Sequence, residues 1–69
     1  MKLYFENSYG EERVIAEVTD EKEAFKEIHK FCEERNFKIY YTRSWKTANG
    51  RTKYDVGSHT EFFYLATNE

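Results

Sequence analysis

The feature that most constrains the fold is a change in the spacing of apolar residues after Thr19. Between Asp20 and Asn36 apolar side chains recur with the period of an amphipathic helix, whereas the flanking segments alternate as strands do. Asp20 suits the N-cap position, and Glu23 stands where a capping box needs an acid. Asn36 suits a left-handed helix end. We therefore predict a single helix, with strands and turns elsewhere.

The apolar stripe of this helix predicts how the domain is layered. Its members fall within about 120° of a helical wheel. They are Ala24, Phe25, Ile28, Phe31 and Cys32. Because a helix buries such a stripe against a second layer, we predict an α+β fold of two layers. A mostly antiparallel sheet carries this amphipathic helix on one face.

Five strand segments surround the helix in the predicted order β-β-α-β-β-β. Alternation and the abundance of aromatic and β-branched residues indicate strands, and the first two form a hairpin from about residue 2 to residue 19. The segments are KLYFEN (2–7), RVIAEVT (13–19), FKIYYTRSW (37–45), the stretch that leads from the next turn to Val56, and EFFYLA (61–66).

Two turns set the pairing of the last three strands. Asn49-Gly50 is the strongest short hairpin signal in the chain, because both residues tolerate positive φ. A two-residue loop at this point predicts that Trp45 faces Tyr54 across the hairpin. The segment 57–60 is either a tight turn or a bulge.

Alternation also predicts which side chains lie on each face of the sheet. The helix is expected to meet Val14, Ala16, Val18, Phe37, Ile39 and Tyr41. The far face is expected to carry Tyr4, Ile15 and Tyr40, with one parity of residues 62–65. Several aromatic rings on an uncovered face form an apolar patch, which is typical of an interface. The simplest such interface is a two-fold homodimer, which would also stabilise so short a chain.

Composition limits the class of protein. The 69 residues suffice for a single domain, 1–69. A lone cysteine forms no disulfide within the chain and fits a reducing compartment. No apolar run is long enough to span a bilayer and no leader precedes the first strand, so we predict a cytoplasmic protein without membrane contact. The formal net charge of −2 gives no basic footprint for nucleic acid.

The sequence gives little support for a catalytic site or a metal-binding site. Ser58, His59 and Asp55 are the residue types of a hydrolase triad, but Ser58 and His59 are adjacent, and adjacent side chains diverge in extended chain. His59, Asp55 and Glu61 match no zinc or calcium spacing. We therefore predict no catalytic residues, no metal, no cofactor and no enzymatic activity.

The sequence contains more residues that are suited to binding a ligand or a partner. Aromatic residues alternate with cations between Tyr40 and Tyr54, which suits base stacking and equally suits a cross-strand ladder. The acidic balance of the chain disfavours nucleic acid. A pocket for a small nucleotide is an alternative, built from Arg43, Trp45, Arg51 and Tyr54. The candidate residues for a ligand or partner are Tyr4, Tyr40, Arg43, Trp45, Arg51, Tyr54, Asp55, His59 and Phe63.

The segments KIYYTRSW, ANGRTKYDVG and SHTEFFYL resemble a family of small proteins from phages and prophages of Gram-positive bacteria. The resemblance runs from KLYF to FFYL and is densest in KYDVGSHTEFFYL. It implies an accessory gene and the host-cell cytoplasm, where such proteins often inhibit host factors, including defence proteins or their nucleotide signals. It carries over no functional residue.

Together these observations predict a non-enzymatic interaction or inhibitor module. Its predicted partner is a host protein, which could be a defence protein, or a second copy of the chain. The module would bind this partner through the aromatic sheet face. The first alternative is a sequestering protein for a small nucleotide signal. A nucleic-acid-binding protein is the second alternative, and a small hydrolase comes last.

Overall fold

A computed structural model describes residues 1–57 and 60–66 of the chain. Within these ranges one helix and five strands form, and the strands join in one antiparallel sheet. The predicted α+β class is confirmed. In chain order the elements are β1 (Lys2–Glu6), β2 (Glu12–Glu17), α1 (Glu21–Glu34), β3 (Arg43–Lys46), β4 (Thr52–Asp55) and β5 (Phe62–Ala66).

The strand order in the sheet is β2-β1-β5-β4-β3. The first and last strands are therefore neighbours at its centre, where Tyr4 pairs with Tyr64 and Phe5 with Phe63. The helix leads the chain from β2 at one edge to β3 at the other.

Local capping chemistry sets both ends of α1. The Asp20 carboxylate accepts a hydrogen bond of 2.8 Å from the main-chain N–H of Glu23, which satisfies one of the free amides at the helix start. Asn36 follows the C-cap residue with φ +56°, in the left-handed region where asparagine is tolerated. The predicted N-cap and left-handed helix end are both confirmed.

The core lies between α1 and the three central strands. Ala24, Ile28 and Cys32 of the helix are buried. The ring of Phe31 lies 4.7 Å from the ring of Phe5 on β1, measured between centroids. Burial raises the pKa of the Cys32 thiol, so this side chain acts as a small apolar group.

The strand predicted at residues 37–45 begins only at Arg43. Residues 37–42 form an irregular segment, which we call the connector. Phe37 and Ile39 pack against the core, and the main-chain N–H of Tyr40 donates to the carbonyl of Val56 at 3.1 Å. The connector carries the chain from the helix end to the sheet edge, and this path prevails over the strand propensity of its residues.

The loop between β3 and β4 has three residues, not the predicted two. Gly50 has φ +83°, and its N–H donates to the Thr47 carbonyl, while the Thr47 N–H donates to the carbonyl of Arg51. This is a turn followed by a bulge at a left-handed glycine. The added residue changes the register by one position, so Trp45 faces Lys53 and the predicted pairing with Tyr54 is wrong.

An irregularity in β2 corrects the predicted face assignments at the other edge. Leu3 pairs with Ala16 and Tyr4 with Val14, so the alternation breaks at Ile15. Val14 is 49% exposed instead of meeting the helix, whereas Ile15 packs against the core. Tyr41, which was also predicted to meet the helix, is exposed.

Candidate binding face

The sheet face opposite α1 is covered by no helix in the part of the chain that the structure describes. Alternation brings side chains from all five strands to this surface, which we call the open face. Its residues are Glu12, Val14, Tyr4, Glu6, Phe62, Tyr64, Lys53, Asp55, Arg43 and Trp45, joined by Arg51 from the loop before β4.

An arginine connects the two tyrosines at the centre of the open face. The guanidinium carbon of Arg51 lies 4.5 Å from the ring centroid of Tyr4 and 5.5 Å from that of Tyr64. Its Nη1 also lies 2.7 Å from Oε1 of Glu12, on the edge strand β2. The ion pair and the stacking together hold the guanidinium over the rings.

A lysine occupies the equivalent position nearer β3. The Nζ atom of Lys53 lies 4.0 Å from the ring centroid of Phe62, 5.5 Å from that of Tyr64 and 5.9 Å from that of Trp45. The rings of Phe62 and Tyr64 are half-buried, although no helix of the described part of the chain covers them. Trp45 stays 43% exposed. The open face is therefore a layer of rings partly covered by its own cations, and less apolar than predicted.

A carboxylate fixes the corner where β4 ends. The Asp55 side chain accepts hydrogen bonds from the Arg43 guanidinium and from the main-chain N–H of Gly57, each at 2.9 Å. The hydroxyl of Tyr41 lies 3.5 Å from the same carboxylate. Arg43 first, and then the Gly57 N–H, hold the pKa of Asp55 below its ordinary value. Asp55 is therefore an ionised anchor near neutral pH.

The structure separates the residues that the sequence analysis grouped into one nucleotide pocket. Arg43, Trp45 and Arg51 lie on the open face, but Tyr54 lies on the face toward α1 and is 1% exposed. Phe63 is equally buried. Neither buried ring can contact a partner, so both are corrected from binding residues to core residues.

The other candidate residues divide between locations. Tyr4 and Asp55 lie on the open face, whereas Tyr40 lies in the connector and not on the far side of the sheet. His59 and the centre of the predicted turn or bulge at 57–60 lie outside the described residues.

Among the open-face residues that the sequence analysis missed, four take part in the contacts of the cations of this face. Alternation along the last strand predicted that either Phe62 and Tyr64 or Phe63 and Leu65 lie on this surface, and it did not decide between the two pairs. Only the sheet order brings the Glu12 carboxylate of β2 to Arg51, which immediately precedes β4. The residues are Glu12, Lys53, Phe62 and Tyr64.

The buried hydroxyl of Tyr54 predicts a response to alkaline pH. It has no hydrogen-bond partner within the described ranges, and burial, with a smaller contribution from Glu21, raises the pKa of Tyr54 from 10.0 to about 12. Since the pKa of Tyr54 is higher in the folded state than in the unfolded state, the free energy of unfolding keeps its full value below pH 10. It falls as the pH rises from 10 to about 12. We expect the free energy of unfolding of Tyr54→Phe to fall by about 2 kcal/mol less than that of the wild type over this pH range. Urea unfolding at several pH values measures the difference.

The matched control is Tyr9→Phe, because Tyr9 is 86% exposed in the β1–β2 turn. That variant should lose stability with pH as the wild type does. At pH 7 Tyr54→Phe should be neutral or stabilising, because it deletes a buried hydroxyl without a partner. An identical pH profile for Tyr54→Phe and wild type would contradict the assignment.

Fold and surface together define a small α+β protein with one helix-covered sheet face and one open face. No protein-family model, curated protein or solved structure matches the chain. Within residues 1–57 and 60–66, no group of three or more His, Cys, Asp or Glu residues is placed to hold a metal ion. No helix in these ranges is long and apolar enough to cross a membrane.

Proposed function

We propose that this chain is a non-enzymatic binding module whose open face binds a protein partner, either a host protein or a second copy of the chain. The observation that carries the proposal is the exposed ring of Trp45, which surrounds the Lys53 ammonium together with Phe62 and Tyr64 on a sheet face that no helix covers in the described ranges.

The residue types on this face are those that contribute most to protein interfaces. Tryptophan, tyrosine and arginine dominate the binding energy of measured interfaces. Here the rings stand on paired strands, and Glu12 fixes the guanidinium of Arg51. Because these side chains are already ordered, binding costs less conformational entropy than it would on a flexible loop.

The charges of the open face favour a protein over a nucleic acid. Glu6, Glu12 and Asp55 stand among the cations of the same face. A phosphate backbone would meet these carboxylates, and the chain as a whole carries a net charge of −2. A protein surface of mixed charge avoids this repulsion.

The proposed setting rests on the sequence resemblance alone. A phage or prophage accessory protein in the host cytoplasm, directed against a host factor such as a defence protein, remains a prediction. In that setting the module would inhibit by covering a surface that its partner needs.

The proposal is tested by placing a charge on the open face. Trp45→Glu replaces an exposed ring on an edge strand, so the fold should persist while the partner complex is lost. Native mass spectrometry of the protein isolated from its natural cell detects a host partner, and sedimentation velocity of the pure chain detects a second copy. We expect a heavier species in wild type and at least about a tenfold weaker complex in the variant.

Tyr9→Glu is the matched control, because it places the same charge on an exposed ring outside the open face. It should leave the heavier species unchanged, and circular dichroism should show the same helix signal in all three proteins. A wild type that is monomeric in both settings would refute the proposal, as would a complex that Trp45→Glu and Tyr9→Glu affect equally.

A further inference from the structure

A groove of about 770 Å³ lies beyond the C-terminal end of α1, and none of its lining residues belongs to the open face. It is bounded by residues 35–38, by Tyr40 and Tyr41 of the connector, and by Gly57, Thr60 and Glu61. Its volume falls within the range of about 300–1,000 Å³ that is typical of small-molecule sites.

Two exposed rings form part of the groove wall. Tyr40 is 67% exposed and Tyr41 47%. Tyr40 is nevertheless fixed at its base, because its main-chain N–H donates to Val56 and its side chain packs on Gly57. An exposed ring with a fixed base offers a flat surface for stacking at little cost in conformational entropy.

Two cations line the groove, one of them beside Tyr40 and the other over Phe31 of α1. The Nζ atom of Lys38 lies 5.0 Å from the ring centroid of Tyr40, and the guanidinium of Arg35 lies 4.4 Å from that of Phe31. Neither cation forms an ion pair with another residue in the described part of the chain. Glu61 lines the groove as well, and its carboxylate accepts a hydrogen bond from the hydroxyl of Thr60.

The charge balance of the groove favours an anion. Arg35 and Lys38 contribute two positive charges and Glu61 one negative charge. The C-terminal end of α1 adds about half a negative charge, which is less than the remaining positive charge. A ligand that combines a planar ring with an anionic group would use both the tyrosines and the cations.

We propose that the groove binds a nucleoside monophosphate, with the base stacked on a connector tyrosine and the phosphate held by Arg35 and Lys38. A nucleotide supplies a π-face for the ring and a dianionic group for the cations, and stacking of one base contributes about 1–3 kcal/mol. This site is separate from the open face, and the proposal does not depend on the proposed function of that face.

The test is calorimetric titration with the four ribonucleoside 5′-monophosphates, with adenosine and inorganic phosphate as partial ligands. At least one monophosphate should bind, and each partial ligand should bind at least about tenfold more weakly. Lys38→Gln and Tyr40→Leu should each weaken the nucleotide by about tenfold, because one removes a cation and the other a ring. Tyr40→Leu keeps the Cβ atom that packs on Gly57, so the fold should be retained.

The matched control is Lys46→Gln, which removes an exposed lysine of β3 that does not line the groove. Trp45→Glu, the variant of the open face, should also bind the nucleotide as wild type does. Failure of one proposal can therefore be distinguished from failure of the other. Three results would overturn the groove proposal: no saturable binding of any monophosphate at millimolar concentration, equal binding by wild type and both groove variants, or phosphate binding as tight as that of the nucleotide.

Discussion

Replacing Phe63 with alanine is expected to lower the free energy of unfolding by about 3–5 kcal/mol. The Phe63 ring is 1% exposed and lies between two other rings, 5.3 Å from Phe5 and 5.6 Å from Phe31. Its removal leaves a cavity where β1, β5 and α1 meet. Since small domains have a total stability near the low end of about 5–15 kcal/mol, the variant should retain only about 0–2 kcal/mol and be partly unfolded at 25 °C.

The adjacent residue is the matched control. Phe62 points to the open face, where its half-buried ring contacts the Lys53 ammonium, so Phe62→Ala should cost only about 1 kcal/mol. Phe63→Leu keeps most of the buried volume and should still unfold cooperatively, at a lower urea midpoint. Equal midpoints for Phe62→Ala and Phe63→Ala would show that the parity of β5 is wrong.

Gly57→Ala is expected to destabilise the fold by about 2–4 kcal/mol through two additive causes. Gly57 has φ +97°, a conformation that residues with a Cβ rarely adopt. An added Cβ would also lie 2.8 Å from the Cβ of Tyr40, whose main chain is hydrogen-bonded to Val56. Urea unfolding followed by circular dichroism measures the sum.

Gly10→Ala separates the two causes. Gly10 has φ +80°, but an added Cβ there would have no neighbour within 4 Å, so only the backbone strain of about 1 kcal/mol remains. Combining Gly57→Ala with Tyr40→Gly should recover the contribution of the steric contact. If Gly57→Ala costs no more than Gly10→Ala, the connector does not pack against Gly57.

The helix could be predicted from the sequence because its signals are local. The Asp20 cap, the Glu23 amide that it binds and the left-handed Asn36 lie within or next to the segment that they delimit. The predicted pairing of the β3–β4 hairpin was wrong for the opposite reason. Asn49-Gly50 is compatible with a two-residue or a three-residue loop, and that single residue decides whether Trp45 or Ser44 lies opposite Tyr54.

The open face and the groove were harder still to predict from the sequence, because both depend on contacts between distant segments. Arg51 and Glu12 are separated by 39 positions and meet only because β4 and β2 lie on either side of the central pair of strands. The connector tyrosines have the composition of a strand, and their exposure follows from the path between the helix end and the sheet edge. Neither arrangement can be derived from the periodicity of a single segment.

The pairing of β1 with β5 has a consequence for how the chain matures during synthesis. The β1–β2 hairpin emerges from the ribosome first, but β5 separates it from the rest of the sheet. Until residues 62–66 are translated, one edge of β1 has unpaired main-chain groups beside the apolar side chains of Leu3 and Phe5. Closure of so distant a contact slows folding, so the nascent chain passes through a stage at which a chaperone, or a second nascent chain, can bind that edge.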